Sequence, residues 1–375
     1  MRNVIIIKYG ELWLKSEPVR RRFIKQLAEN IRRMLKAKKI VFKLEKTRDM
    51  LILETKSEKA AEVLKRVFGI SWFAKAKETK PEMRYIEKVV VKIGKSIKPD
   101  QTFAVRASRS DKSFHLSSMN LENRLGSKIK RKVNLSNPDV TIFVEVKISK
   151  SYVYPEKIRG LGGLPYGVSG SVLSLISGGI DSPVASWMLM KRGCSVDFIH
   201  FCTDNEGMRK VKKIIEKLGQ YSPQNLYLHV VPFREMLEGI SKYCEQRMTC
   251  VLCKRLMYKT SEKFAERVKA KALVTGENLA QVASQTLDNL LANSEVVAIP
   301  LLRPLIGMDK EEAISLAKKI GTYGISIRDS EACRFVPEKP ATKARSDMIM
   351  KEEKRIKNLD KLIKKSIENS ESVVV

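Results

Sequence analysis

Residues 171–183, Ser-Val-Leu-Ser-Leu-Ile-Ser-Gly-Gly-Ile-Asp-Ser-Pro, constrain this chain more than any other stretch. An apolar strand runs into two glycines, and a helix starts at once. Glycines leave room for backbone N–H groups to turn inward, and Pro183 suits a first helical turn because its missing N–H would have no partner there. Free amides and the positive end of the helix dipole then face one anion, with the Ser177 and Ser182 hydroxyls as further donors. The turn lacks the Lys of G-x-x-x-x-G-K-[ST], which disfavours transfer of a terminal phosphoryl group. An acidic Asp181 instead suits Mg²⁺ held against a departing pyrophosphate.

A strand–turn–helix of this kind needs a parallel sheet, and the chain that follows supplies one. Strands are predicted at 171–176, 195–202, 225–231, 272–275 and 296–299. Helices are predicted near 183–191, 208–218, 234–243, 254–270, 280–291 and 310–320. From 347 on the sequence reads as one charged amphipathic helix, to which no function is assigned.

Charge divides the chain in two. It has 375 residues and a net charge of +30, with 43% hydrophobic residues, enough for two or three cored domains. Residues 1–170 hold 39 Lys and Arg against 17 Asp and Glu, whereas 171–375 hold 33 against 25. A thermophile's ion-pair-rich surface explains many charges but not an excess of one sign. A polyanionic partner does, nucleic acid before an anionic membrane surface. The first part is the electrostatic footprint and the second the seat of chemistry. No apolar run approaches the ~18 residues of a membrane span. The N-terminus is too short for a signal peptide, and six unevenly spaced cysteines, all after residue 170, do not form a disulfide framework. A cytoplasmic protein with no membrane partner is expected.

The N-terminal part reads as strand 3–9, helix 17–36, strands 40–46 and 50–55, a helix N-capped by Ser57 and ending before Gly69, and strand 71–77. This βαββαβ order is that of a ferredoxin-like α+β module, residues 1–78. The pattern restarts with helix 85–97, strand 102–108, helix 116–133, strand 139–148 and a strand within 151–158, giving an α/β module over 79–160. A glycine-rich linker, 161–170, leads to the parallel-sheet domain at 171–346 and the tail at 347–375; the linker glycines do not fit G-x-G-x-x-G.

The Ser177-Gly178-Gly179-Ile180-Asp181-Ser182 turn resembles that of the PP-loop ATP pyrophosphatases, of the adenine nucleotide alpha hydrolase-like fold. Four further stretches are similar to the tRNA 4-thiouridine synthetases. They are Tyr9-Gly10-Glu11-Leu12-Trp13-Leu14-Lys15 with Arg21, Arg22 and Phe23 downstream, the 103–110 strand, the Gly162-Gly163-Leu164-Pro165 linker, and Thr275-Gly276-Glu277 through Gln281-Val282-Ala283-Ser284-Gln285-Thr286. The resemblance covers residues 3–345 in order. It implies that 79–160 is a THUMP RNA-binding domain and that the chain uses ATP and Mg²⁺ to adenylate a uracil oxygen of tRNA, so that sulfur can displace AMP and give 4-thiouridine at position 8. It further implies ATP contacts at Leu175, Ile176, Ser177, Gly178, Gly179, Asp181, Ser182, His200, Phe201, Lys254 or its neighbour Arg255, Gly276 and Gln285. Asp181 would be catalytic. For His200 only the strand-end backbone is expected to matter, the imidazole being a satisfied structural group. Candidate phosphate contacts on the RNA are Arg20, Arg21, Arg22, Arg106, Arg109, Lys128, Lys130, Arg131 and Lys132.

Many such enzymes carry the persulfide on an added rhodanese domain, for which this sequence has no room after 344. Sulfur is therefore expected to pass through the cysteines at hand, from a cysteine desulfurase or another donor. Cys333 matches the family's sulfur-accepting cysteine and is the second catalytic candidate. Cys250-Val251-Leu252-Cys253 with Cys333 could hold three irons of a [4Fe–4S] cluster; a redox disulfide and zinc are the alternatives. Cys194 and Cys202 read as packing, and Cys244 is undecided. The resemblance also implies a homodimer and, in some members, sulfur supply for thiamine thiazole synthesis. Two rivals stand beside it: an adenylating enzyme that uses ammonia, and a non-catalytic RNA-binding protein.

Overall fold

A computed structural model describes the chain except Arg48, residues 111–113, Asp204, residues 329–332 and Arg334, and the side chains of Trp13, Leu14 and Asn205. It divides into Met1–Gly163 and Leu164–Val375. The first unit runs β1 (Arg2–Tyr9), α1 (Glu17–Ala37), β2 (Lys43–Lys46), β3 (Leu51–Glu54), α2 (Lys59–Leu64), β4 (Ile70–Thr79), α3 (Met83–Lys95), β5 (Phe103–Arg109), α4 (Ser118–Gly126), β6 (Val140–Val146), β7 (Ser151–Tyr154) and β8 (Ile158–Arg159). The two sequence modules share one sheet, ordered β2-β3-β1-β4-β7-β6-β5 with β8 also on β4. Strand β4 makes this join: it pairs with β1 from Ile70 to Glu78, and its last residues, Lys77–Thr79, pair with β7.

Several predicted elements here are shorter than expected, three of them for a visible reason. Strand 40–46 begins only at Lys43, because the Ile40 N–H closes the end of α1 on Leu35 O at 3.1 Å. Ser57 does not cap α2; its carbonyl accepts from the Ala60 N–H and the helix starts at Lys59. Helix 116–133 stops at Gly126, a poor helix interior residue, and the chain beyond turns so that Lys132 O and the Asn134 N–H bond the two backbone groups of Phe103. The basic stretch 128–132 therefore lies beyond the helix.

The second unit runs β9 (Ser171–Leu175), α5 (Asp181–Lys191), β10 (Ser195–Cys202), α6 (Asn205–Gly219), β11 (Tyr227–Pro232), α7 (Arg234–Tyr243), α8 (Thr249–Val268), β12 (Leu273–Val274), α9 (Leu287–Ser294), β13 (Leu301–Leu302), α10 (Lys310–Ile320), α11 (Tyr323–Ser326), α12 (Ser346–Arg355), α13 (Leu359–Glu368) and β14 (Glu371–Val374). Its six-stranded sheet is ordered β13-β12-β9-β10-β11-β14, parallel except for β14. Strand alternation sends Leu173, Ile199 and Val231 into the core with α7 and α8. It sends Ser174 the other way, where its hydroxyl meets Ser186 of α5 at 2.8 Å. Helices thus cover both faces, the doubly wound arrangement.

Four expectations change in this unit. The strand expected at 296–299 lies at Leu301–Leu302, since Glu262 Oε1 takes the N–H groups of Ala298 (2.6 Å) and Ile299 (3.1 Å) out of any ladder. Helix 280–291 is broken: Ala280 sits at φ 59°, and Thr286 caps a new start at Leu287 by accepting from the Asn289 N–H. Helix α8 begins at Thr249, five residues before the expected start, which places both Cys250 and Cys253 on it. The tail is no single helix, and β14 extends the sheet by pairing antiparallel with β11.

Candidate active site at the strand ends

From β9 the sheet grows in opposite directions to β10 and to β12, so the loops leaving β9 and β12 part and open a crevice at their carboxyl ends. The glycine turn lies there. Ser182 Oγ accepts from the Ser177 N–H at 2.9 Å and lies 3.0 Å from Ser177 Oγ, which accepts from the Gly179 N–H at 3.3 Å. Gly276, after β12, packs directly on the start of α5. A Cβ there would stand 2.5 Å from Ser182 N and 2.7 Å from the Asp181 carbonyl carbon, so only glycine fits. Gly178 and Gly179 do not use left-handed backbone; Gly178 instead accommodates the methylenes of Lys210, 3.0 Å from where its Cβ would be.

Asp181 faces the crevice from the first turn of α5. Lys310, at the start of α10, donates to both its carboxylate oxygens at 2.9 Å, and Gln281 Nε2 donates at 3.0 Å. Beside it Glu277 is buried yet charged. It receives Lys254 Nζ at 3.0 Å, Arg303 Nε at 2.8 Å and Thr275 Oγ1 at 3.3 Å. Burial acts to raise its carboxyl, but Lys254, the Tyr258 hydroxyl and Arg303 outweigh it and hold the group below the ordinary glutamate range. His200 Nδ1 lies 3.0 Å from Ile176 O, so its imidazole braces the strand end from which the turn departs. Leu175 and Ile176 complete that end, and Phe201 is buried edge-on against Phe233, ring centroids 4.9 Å apart. Gln285 is buried with its Oε1 unpartnered.

Of the expected pair, Lys254 reaches the strand ends and Arg255 does not. Arg255 is 4% exposed; its Nε donates to Glu353 of α12 at 2.5 Å and its Nη1 to Ala292 O. Sequence position alone could not separate neighbours on a helix that faces the crevice on one side and the tail on the other.

Cys250 and Cys253 lie one turn apart on α8. Burial pushes the Cys253 thiol up to about 12, with the charges of Cys333 and Cys250 adding to it and Lys254 opposing. Burial and then the charge of Cys333 raise Cys250 as well, so exposed Cys333 lies within electrostatic reach of both. The chain after Cys333 is tied down by Asn289: Nδ2 donates to Ala341 O at 2.8 Å and Oδ1 accepts from the Ala344 N–H at 3.0 Å. Among the described residues no three His, Cys, Asp or Glu side chains converge closely enough to hold a metal ion. Cys194 is buried, and Cys244 donates to Glu352 O at 3.3 Å.

The expected RNA contacts fall into two sets. Arg21 and Arg22 on α1 and Lys128, Lys130 and Lys132 are exposed, Arg21 pairing with Glu17 and Arg22 lying over Phe23; Arg20 is half-buried. Arg106, Arg109 and Arg131 spend donors on backbone carbonyls: Arg106 on Leu135, Arg109 on Phe114 at 3.1 Å, and Arg131 on Ile97 at 2.9 Å. These three brace the fold. Sequence reasoning missed Lys310, Lys210, Ser326, Asn289 and Glu353. It had quoted Gln281 without assigning it a role.

A glycine turn at the switch point of a doubly wound sheet, in a chain whose other unit is strongly basic, defines a nucleotide-using enzyme that acts on nucleic acid. Residues 167–358 match the model described as Thiamine biosynthesis protein (ThiI), residues 4–74 the ThiI ferredoxin-like domain and residues 82–156 the THUMP domain. A probable tRNA sulfurtransferase of Caldanaerobacter subterraneus subsp. tengcongensis is 40% identical, with 100% of each chain covered. One from Methanocaldococcus jannaschii is 36% identical, covering 94% of this chain and 97% of that one. A solved 4-thiouridine synthetase–RNA complex with bound ATP matches with a TM-score of 0.91 at 30% identity over 100% of both chains. The chain belongs to the ThiI family of tRNA sulfurtransferases, and its fold is the ferredoxin-like, THUMP and PP-loop combination expected from the sequence. Among the described residues no helix is long and apolar enough to cross a membrane.

Proposed function

We propose that the chain uses ATP to activate O4 of a tRNA uridine and exchanges that oxygen for sulfur, giving 4-thiouridine. The observation that carries this is the glycine turn at the switch point with the Asp181 carboxylate at its mouth, beside Lys310 and Gln281. In this reading the uracil oxygen attacks the α-phosphorus, the bond to the β-phosphate breaks, and pyrophosphate leaves. Amides of the turn, Ser177 and Ser182 hold the phosphates; Lys310, beside Asp181, would meet charge developing on the leaving group. Mg²⁺ commonly takes one or two carboxylates together with substrate phosphates. The partly exposed Asp181 fits that role, and the ion would neutralise the departing pyrophosphate. Gly276 packs the turn, and in this reading Lys254 and Gln285 meet the rest of the nucleotide.

For sulfur, exposed Cys333 is the carrier. A persulfide on Cys333 attacks C4 of the adenylated uracil and AMP leaves. A second thiol, from the Cys250–Cys253 pair, then attacks the Cys333 sulfur, releasing thiouridine and leaving an intrachain disulfide for a thiol reductant to reopen. The effect of Cys333 on both Cys250 and Cys253 supports a shared site. It also favours a second reading, a [4Fe–4S] cluster on the same three, but as placed they do not form a metal site. Visible absorption of anaerobically purified protein separates the two.

The sulfur donor is proposed to be a cysteine desulfurase or an equivalent persulfide source, the working form a homodimer in the cytoplasm, and thiazole sulfur for thiamine a second destination. Mass spectrometry of tRNA nucleosides from cells with and without the gene tests the main claim: thiouridine should vanish on deletion and return with the gene. A parent level of thiouridine in the deleted strain would refute it.

A further inference from the structure

Three links run from the glycine turn to residues 310–328, which precede Cys333 in the sequence. Lys310 binds Asp181 at the head of α10. Ser326, 8% exposed at the end of α11, donates its hydroxyl to Gly179 O at 3.1 Å. Lys210 of α6 lays its methylenes on Gly178 and donates its ammonium to Arg328 O at 2.7 Å. Within a planar trans peptide the Gly179 carbonyl points opposite to the Ile180 N–H. When an anion draws that N–H inward, the carbonyl is turned outward, which is the side Ser326 occupies.

We propose that Ser326 is a positioning residue that registers the Cys333 segment against the occupied glycine turn, so that sulfur is delivered in step with nucleotide activation. The inference rests on the function proposed above. Ser326 touches no reacting atom in this account. The bond also favours the nucleotide-bound turn, because it holds the Gly179 carbonyl outward, and beyond that its loss leaves the activated uridine waiting for a misplaced carrier.

The test uses the full chain, a tRNA transcript, ATP and polysulfide as the persulfide-forming donor, and measures pyrophosphate released and thiouridine formed. Parent enzyme should release about as much pyrophosphate as it makes thiouridine. In Ser326→Ala, at saturating ATP and in a single turnover, pyrophosphate release should stay within about twofold while thiouridine formation falls about tenfold, the size of one lost hydrogen bond, and the KM for ATP should rise. The ratio of the two products then rises, and Ser326→Thr restores it. Lys210→Met, which keeps the packing on Gly178 and loses the bond to Arg328 O, should raise the ratio too. If both variants lose the two steps in parallel, or change neither, the inference is wrong. If the parent itself releases no pyrophosphate, the proposed function falls with it.

Discussion

Lys310 grips both carboxylate oxygens of Asp181 at 2.9 Å although 129 residues separate the two. One begins α10 and the other begins α5, so the pair ties two helix starts together beside the glycine turn. Without nucleotide, each neutralises the other. Preorganised charge of this kind adds most where negative charge develops during reaction.

Lys310→Gln should therefore lower tRNA-dependent pyrophosphate release by roughly 100-fold, the loss typical of one electrostatic stabiliser. Asp181→Ala should abolish thiolation. Neither should change tRNA affinity by more than about twofold on filter binding, because that affinity is expected to reside in phosphate contacts of the basic unit. A large loss of affinity would contradict this division of labour.

Gly276→Ala places a methyl against the backbone of Ser182. Overpacking at such a site costs roughly 1–3 kcal/mol, and the first structure to shift is the turn itself. A lower Tm and weaker ATP binding by calorimetry are expected together. An unchanged ATP affinity would show that the turn tolerates displacement.

Lys128, Lys130 and Lys132 differ from Arg106 and Arg131. Replacing each exposed lysine with alanine should weaken tRNA binding and lower the slope of log affinity against log salt by about one, with Tm unchanged. Replacing either arginine should lower Tm instead, since a backbone carbonyl loses its donor. Equal salt effects from both sets would contradict the assignment.

Glu353→Ala leaves the buried Arg255 and the neighbouring Lys259 without their carboxylate. Removing one partner of a buried ion pair costs about 3–5 kcal/mol, so denaturant unfolding should show a loss of that order. Because α8 carries Lys254 and the cysteine pair, activity should fall too. Deleting 347–375 should destabilise more severely, as it also uncovers the edge of β11.

His229 of β11 packs tilted against Phe264, with ring centroids 4.7 Å apart, and its Nδ1 lies 2.7 Å from Ser372 Oγ of β14. Burial first, and then Arg267, push its pKa down to about 4. The folded protein therefore favours the neutral ring. Its contribution is full above the ordinary value of about 6.5 and is lost as pH falls from there toward 4. Unfolding free energy should decline across that window, and His229→Phe should flatten the decline. An identical slope in the variant would remove His229 as the cause.

Much of this was legible in the sequence. The glycine turn, the alternation of strands and helices after it and the split βαββαβ order all follow from local patterning, and each is present. What local patterning could not give was contact between distant elements. Lys310 reads as the ordinary first residue of a helix, and its partner is visible only once α10 is seen beside α5. Arg255 looks as suited to phosphate as Lys254 until α12 supplies Glu353. The tail reads as one charged amphipathic helix because its strand, residues 371–374, is short, and a short edge strand is recognisable only by its neighbour β11.

The most direct test of the account follows α-labelled ATP mixed with purified protein and unmodified tRNA transcript. The account predicts label in AMP or in an adenylated RNA, with one pyrophosphate released per event and none without tRNA. Label accumulating in ADP with release of orthophosphate alone would contradict it.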